Sequence, residues 1–284
     1  MGTATPTVSW HSACSLRLAL MLPSPVFRIL SRLTLGIVVL AMVLHGPVAA
    51  AREPGDPIRL AWMEGDVAGL IDILSPDGRK TIGYVEYHQL RHGDIVKMVR
   101  VAHFADGSSD EDQAEARVGD TLEAQRGRSI IRNTHGKSIV DIKIDVAGGS
   151  ITGFYLDGND RKTVDEHQEL HGGTYWGPLI NLVVKNFAQN ATDDHVVFTT
   201  VVATPKPRVI NMELARKGTQ TVTRVGGRLN VTELSLLPTV NFLVDPIVQR
   251  IAPETTFLID SGKPPVLVRF LGPRNYQGQK MRLD

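Results

Sequence analysis

Two pairs of histidines stand four residues apart, a spacing that lets two imidazoles on one helix face share a metal ion. His88 and His92 lie in a strand-like run, where this spacing separates them by about 13 Å, so no local site is expected there. His167 and His171, with Glu169 between them, form the candidate metal site of a periplasmic hydrolase or other metal-dependent enzyme. Glu169 does not match the His-Glu-x-x-His zinc motif, so a solvated polar loop is the competing interpretation.

An acidic run, DGSSDED at Asp106–Asp112, has four carboxylates in seven residues and the oxygen ligands that Ca²⁺ prefers. Its spacing differs from that of an EF-hand loop. Asp106-Gly107 is a favourable turn, and Asp110–Asp112 can begin or cap a helix. The sequence therefore favours a turn over a calcium site.

Other well-known sites have no support in this sequence. It contains no G-x-S-x-G elbow, no P-loop and no Rossmann glycine pattern. The single Cys14 lies in the leader described below, so no disulfide or thiol chemistry is expected in the mature chain. The 31 basic and 30 acidic residues give a net charge of +1, which provides no steering toward nucleic acid. We predict no cofactor and no nucleic-acid partner.

Four residues are candidate ligand contacts. Tyr175 and Trp176 precede Gly177-Pro178, where they either plug one end of a sheet or cover an apolar pocket. Arg269 and Arg274 flank aromatic residues near the end of the chain. Guanidinium groups bind carboxylate or phosphate in a bidentate way, although pairing with a structural carboxylate is the alternative.

The first 51 residues have the pattern of a secretory signal peptide. They contain no acidic residue, and Arg32 precedes the twelve-residue apolar run Leu33–Leu44. A transmembrane helix needs roughly twenty apolar residues. The small residues Ala49–Ala51 suit a signal peptidase, so we predict cleavage near Ala51 rather than a retained anchor. Residues 52–284 are expected to form a single exported β-rich domain without a further transmembrane span.

Alternating apolar residues dominate the mature chain and predict β-strands with one wet face. In Ile139–Val146, for example, aliphatic side chains alternate with Asp and Lys. Turn residues such as Pro76-Asp77-Gly78 separate the strands. The predicted strands are Ala68–Leu74, Thr81–Leu90, Ile95–Phe104, Ile139–Val146, Ile151–Leu156, His195–Ala203, Val209–Ala215, Gln220–Val225, Leu229–Leu237, Thr256–Ile259 and Val266–Phe270.

One segment, Leu179–Asn190, has apolar residues at helical spacing after Pro178, which predicts a helix. Phe242–Ile251 is ambiguous because Pro246 interrupts it. Residues 157–176 are polar and predict a loop that joins two possible halves, 58–156 and 177–284. The predicted fold is mainly β: a large antiparallel curved sheet or half-barrel with one central helix in its concavity.

Three features together resemble a known type of protein. They are the turn-rich meander of long strands, the Trp-Gly-Pro entry to the helix, and the closing segment PPVLVRFLGPRNYQGQKMRL. The chain looks like exported bacterial proteins of the domain-of-unknown-function type, similar to the lipoprotein-carrier half-barrels. That resemblance implies a curved sheet that wraps an apolar ligand around a helix, and it implies no catalytic residues.

From these patterns we predict an exported, non-enzymatic protein of the periplasm or cell envelope. It would bind a lipid-like or amphiphilic ligand in the concave face of its sheet, because a long curved sheet leaves space inside. One alternative is the enzyme built on His167, Glu169 and His171. Another is a structural envelope protein that binds other envelope proteins and no ligand.

Overall fold

The computed structural model describes residues 53–190, 193–203, 206–224, 227–239, 254–260, 262–274 and 280–284. The predicted signal peptide and the ambiguous Phe242–Ile251 segment lie outside these residues.

Sixteen strands in the described part of the chain belong to one sheet. The predicted fold class is confirmed: the protein is mainly β, with a single large curved sheet that is not closed. The strands are β1 Ile58–Arg59, β2 Val67–Leu74, β3 Thr81–His92, β4 Ile95–Phe104, β5 Ser109–Val118, β6 Thr121–Arg132, β7 Ser138–Asp145, β8 Ser150–Asp157, β9 Asp160–His167, β10 Thr174–Tyr175, β11 His195–Val202, β12 Arg208–Arg224, β13 Gly227–Pro238, β14 Thr255–Asp260, β15 Val266–Pro273 and β16 Lys280–Leu283.

The order of the strands in the sheet follows the chain in two runs, which are joined where the last strand pairs with β2. Strands β2 to β9 pair consecutively and antiparallel, and so do β11 to β16. The last strand, β16, then pairs with β2, where Leu283 lies opposite Ile73. The short β10 adds in parallel to β11, and β1 pairs with β6 off the main path. The free edges are therefore β9 and β10, the strands on either side of residues 168–173.

Burial alternates along the strands because successive side chains point to opposite faces of the sheet. In β4, Val96, Met98 and Ala102 are buried on the concave face. In β5, the smaller Ala114 and Ala116 occupy the same face, opposite Met98 and Val96. The concave face therefore carries the main apolar core.

Several boundaries differ from the sequence prediction. The strands β5 and β6 were not predicted, and Asp110–Asp112 lies inside β5 rather than at the start of a helix. Residues 157–176 are not a loop throughout, since they include β9 and β10. The two strands predicted within residues 209–225 are one strand, β12, with a bulge between Arg216 and Gly218.

The helix α1, Leu179–Gln189, begins where predicted and ends one residue earlier. Its apolar face is buried in the core, and the helix contacts β13, β14 and β15. The buried Asn186 accepts hydrogen bonds from the backbone of Ala61 and Trp62 at 2.8 and 2.9 Å. These bonds fix the segment before β2 to the helix. Among the described residues, no helix has both the length and the apolar character needed to cross a bilayer.

Candidate functional site

A cavity of about 410 Å³ lies on the concave face, beside the start of α1. Its walls are mainly aliphatic and aromatic side chains from both halves of the chain. Representative lining residues are Ile71, Val85, Ile131, Ile142, Met212 and Phe257. The apolar alternation that builds the strands therefore also builds the cavity wall.

Strand register places the lining residues in rows that cross the sheet. Ile71 in β2 lies opposite Val85 in β3, and Asp110 in β5 lies opposite Ile131 in β6. Cross-strand neighbours share one face of a sheet, so these side chains point together into the concavity. One carboxyl group thus lies within an otherwise apolar row.

Trp176 closes one wall of the cavity and is almost fully buried. Its indole Nε1 donates a hydrogen bond of 3.0 Å to the backbone oxygen of Gln113. The ring packs on Gly127 of β6, where an added Cβ would come within 2.4 Å of the indole and of the Gln113 oxygen. The indole therefore occupies a space that exists because residue 127 has no side chain.

The substitution Gly127→Ala is expected to lower the free energy of unfolding by about 1–3 kcal/mol, because the new methyl group overpacks this site. The control is Gly69→Ala in β2, where an added Cβ meets no atom within 4 Å. That variant should change stability by less than about 0.5 kcal/mol. Urea unfolding followed by tryptophan fluorescence measures both variants, and equal stabilities for the two would contradict the assigned packing.

A polar cluster lies on the floor of the cavity. Arg100 of β4 pairs with Asp112 of β5, and Ser129 of β6 donates a hydrogen bond of 2.6 Å to the same carboxylate. The register explains this contact, since Asp112 lies opposite both Arg100 and Ser129. Both carboxylate oxygens of Asp112 are therefore satisfied, and the charge of Arg100 is balanced.

A second guanidinium, that of Arg274, follows β15 and also lines the cavity. It forms an ion pair with Asp106 at 3.3 Å and donates a hydrogen bond to the Ser108 hydroxyl, since a guanidinium is a donor only. Its Cζ lies 3.4 Å from the centre of the Phe104 ring, a cation–π contact. Hydrogen bonds from Ser108, with the nearby Arg274, hold the pKa of Asp106 below its usual range.

Asp110 lies between these two ion pairs and lines the cavity. Burial raises its pKa to about 6, although Arg100 and Arg274 act in the opposite direction. The carboxyl group makes no hydrogen bond or ion pair with the described residues. It is the one group in this cluster whose charge is not balanced by a partner of its own.

No family model matches this chain, and no curated protein or solved structure matches it either. The candidate site is therefore defined by its geometry and chemistry.

The structure separates the four residues predicted to bind a ligand. Trp176 and Arg274 line the cavity. Tyr175 is fully buried behind it, where its hydroxyl accepts a hydrogen bond from the Ile58 amide and donates one to the Leu122 carbonyl. Arg269 pairs with Asp284 at 2.7 Å and does not line the cavity. Ligand binding by these residues stays a prediction.

The three residues of the predicted metal site lie at the end of β9 and in the segment that follows it. His171 Nε2 is 3.7 Å from Glu169 Oε1, and both side chains are more than half exposed. In the described ranges, no group of three or more His, Cys, Asp or Glu residues is placed to hold a metal ion. His167, Glu169 and His171 therefore do not form such a group.

In the sequence, Asp110 and Asp112 stand out only as members of an acidic run. The alternation from Asp112 through Ala114 and Ala116 to Val118 was the available signal for a strand with these aspartates on its inner face. Arg100 carried no sequence signal, because its partner is set by strand pairing.

Proposed function

We propose that this protein is an exported, non-enzymatic protein of the cell envelope that binds an apolar or amphiphilic ligand in the concave face of its sheet. The observation that carries this proposal is the cavity of about 410 Å³ with its mainly apolar wall. Sites for small organic ligands have volumes of about 300–1,000 Å³, and they combine apolar walls with a few polar groups. The leader pattern of residues 1–51 supports export.

The dimensions of the fold give a physical reason for the cavity. An eleven-residue helix is about 16 Å long. Strands lie about 4.8 Å apart, so the path of fifteen hydrogen-bonded strands extends for nearly 70 Å around the concavity. One short helix cannot cover that inner surface, and apolar side chains beside it are left with a space that an apolar ligand can fill.

The adjacent residues Ile71 and Leu70 of β2 provide a matched test, because Ile71 lines the cavity and Leu70 is 73% exposed. We expect Ile71→Trp to fill part of the cavity and to weaken binding of a fluorescent fatty-acyl probe about tenfold or more. Leu70→Trp adds the same group outside the cavity and should leave the probe affinity unchanged. Titrations of the two variants and the unsubstituted protein measure this difference.

Native mass spectrometry of the purified protein tests the same proposal independently, with a bound lipid-like adduct as the expected result. Thermal unfolding of Ile71→Trp shows whether the variant keeps its fold. If the unsubstituted protein carries no adduct and binds no probe, the proposal is wrong and a structural role without a ligand is favoured. Equal probe affinities for the two tryptophan variants would place binding elsewhere on the protein.

A further inference from the structure

The cavity has one polar group whose surroundings point to the chemistry of the ligand. Asp110 faces the apolar space between the two ion pairs and makes no hydrogen bond or ion pair with the described residues. Asp110 is partly buried, and a carboxylate that is withdrawn from water is stabilised by pairing, hydrogen bonding or protonation. A ligand can therefore satisfy Asp110 by donating hydrogen bonds to it.

The charges around Asp110 determine which donor fits best. Facing it are Arg100 from β4, Asp112 from β5, Asp106 from the turn before β5, and Arg274 from the segment after β15. With Asp110 ionised, the cluster has three carboxylates and two guanidiniums, so one negative charge is unbalanced. Arg100 and Arg274 are each already paired with another aspartate. A single positive charge on the ligand would neutralise the cluster.

The two guanidinium Nε atoms without partners do not provide a competing site for an anion. The Nε atoms of Arg100 and Arg274 have no hydrogen-bond partner in the described chain, and both are fully buried. A ligand inside the cavity cannot reach them without moving the side chains. Within this cluster, Asp110 is the carboxyl group that lines the cavity without a hydrogen bond or ion pair to a described residue.

A third arginine, Arg208, lines the cavity from the start of β12 and forms no ion pair with a described residue. Arg208 is exposed, so water solvates its charge and weakens the interaction of that charge with a ligand. Asp110 is partly buried and lacks most of this solvation. Charge complementarity in the cavity therefore favours a cation at Asp110 over an anion at Arg208.

We infer that the ligand is a cationic amphiphile: an apolar chain fills the cavity and a primary ammonium headgroup donates hydrogen bonds to the Asp110 carboxylate. This inference rests on the proposed function and adds the chemistry of the headgroup. An ammonium has three donors and no acceptor, which matches a carboxylate that lacks donors of its own.

The experiment compares three probes with the same chain: decylamine, 1-decanol and decanoate, each below its micelle concentration. Their affinities are measured by displacement of a fluorescent apolar dye from the unsubstituted protein. We expect decylamine to bind about 10- to 100-fold more tightly than decanol, because hydrogen bonds to charged groups are stronger than neutral ones. Decanoate should bind most weakly, since its carboxylate is repelled by Asp110.

Two variants and a pH series test the contact with Asp110. Asp110→Asn keeps the shape of the side chain and should remove most of the preference for decylamine, while decanol binding stays within about twofold. Asp72→Asn, the same change at an exposed residue of β2, should leave the preference intact.

Asp110 has a pKa of about 6, so lowering the pH from about 7 to about 5 should weaken decylamine binding as the carboxylate takes up a proton. Decanol binding should stay constant.

The outcomes separate the two proposals. Equal affinities for decylamine and decanol, or tightest binding of decanoate, would overturn the ammonium assignment and leave the ligand-binding function in place. An equal loss of all three probes in Asp110→Asn would also overturn it. Failure of every probe to bind the unsubstituted protein would overturn the proposed function itself, and the inference with it.

Discussion

Replacing Trp176 with alanine should lower the free energy of unfolding by about 3–5 kcal/mol, the largest single effect that we expect from an apolar side chain here. Trp176 is 2% exposed and fills the space above Gly127. The substitution removes this packing and leaves the Gln113 carbonyl without its indole donor. Chemical denaturation monitored by circular dichroism measures the loss.

Trp176→Phe separates the two contributions, because it keeps much of the ring and removes the donor. We expect it to cost less than Trp176→Ala. Tyr84→Ala provides a control on the outer face, where Tyr84 is exposed and stacks on His103. That change should cost about 1 kcal/mol or less. If Trp176→Ala were no more destabilising than Tyr84→Ala, Trp176 would not be the wall of the cavity that the structure shows.

The second large effect is expected at the Arg100–Asp112 ion pair. Asp112→Ala removes the carboxylate that is hydrogen-bonded to the Arg100 guanidinium, whose side chain is 27% exposed, and leaves the nearby Asp110 as the remaining counter-charge. Breaking one partner of a buried pair costs about 3–5 kcal/mol. The partial exposure of Arg100 and the nearby charge of Asp110 favour the lower end of that range. The free energy of unfolding at neutral pH is the measurement.

An exposed ion pair provides the comparison. Asp94 and Arg117 lie 3.6 Å apart with side chains more than half exposed, so Asp94→Ala should cost less than about 1 kcal/mol. The double variant Asp112→Leu with Arg100→Met removes both charges together. It should recover much of the stability that Asp112→Ala loses. Equal losses in Asp112→Ala and the double variant would mean that the loss of the bonded partner of Arg100 is not the cause.

Strand prediction from sequence succeeded where apolar and polar residues alternate. The strand predicted as Ile139–Val146 is Ser138–Asp145 in the structure, because its β-branched residues face the core and its charged residues face water. Ile95–Phe104 was predicted with the bounds that it has in the structure. In both strands the polarity of a side chain predicts the face of the sheet on which it lies.

The missed strands have side chains that weaken this signal. In β5 the inner face is built from Asp112, Ala114 and Ala116, which are small or charged and have low strand propensity. The edge strand β9 is rich in charged residues, which protect a free sheet edge from pairing with other chains. Both strands are stabilised by their neighbours in the sheet more than by their own composition.

The bulge in β12 explains another difference. Gly218 has φ +152° and follows the point at which the register with β13 shifts. The sequence predicted two strands, Val209–Ala215 and Gln220–Val225, on either side of this glycine. The partner strand β13 continues past the bulge and holds both parts in one ladder.

The features that can be read from the sequence are local: the strands in which polar and apolar residues alternate clearly, and the residue at which the helix begins. Three further features follow from tertiary contacts: β16 pairs with β2, Arg100 pairs with Asp112, and Asp110 lines the cavity without a hydrogen bond or ion pair to a described residue. The physical reason is that polarity along the chain fixes which face a side chain occupies. Strand pairing between distant segments fixes which side chains share that face, and burial there sets their charge.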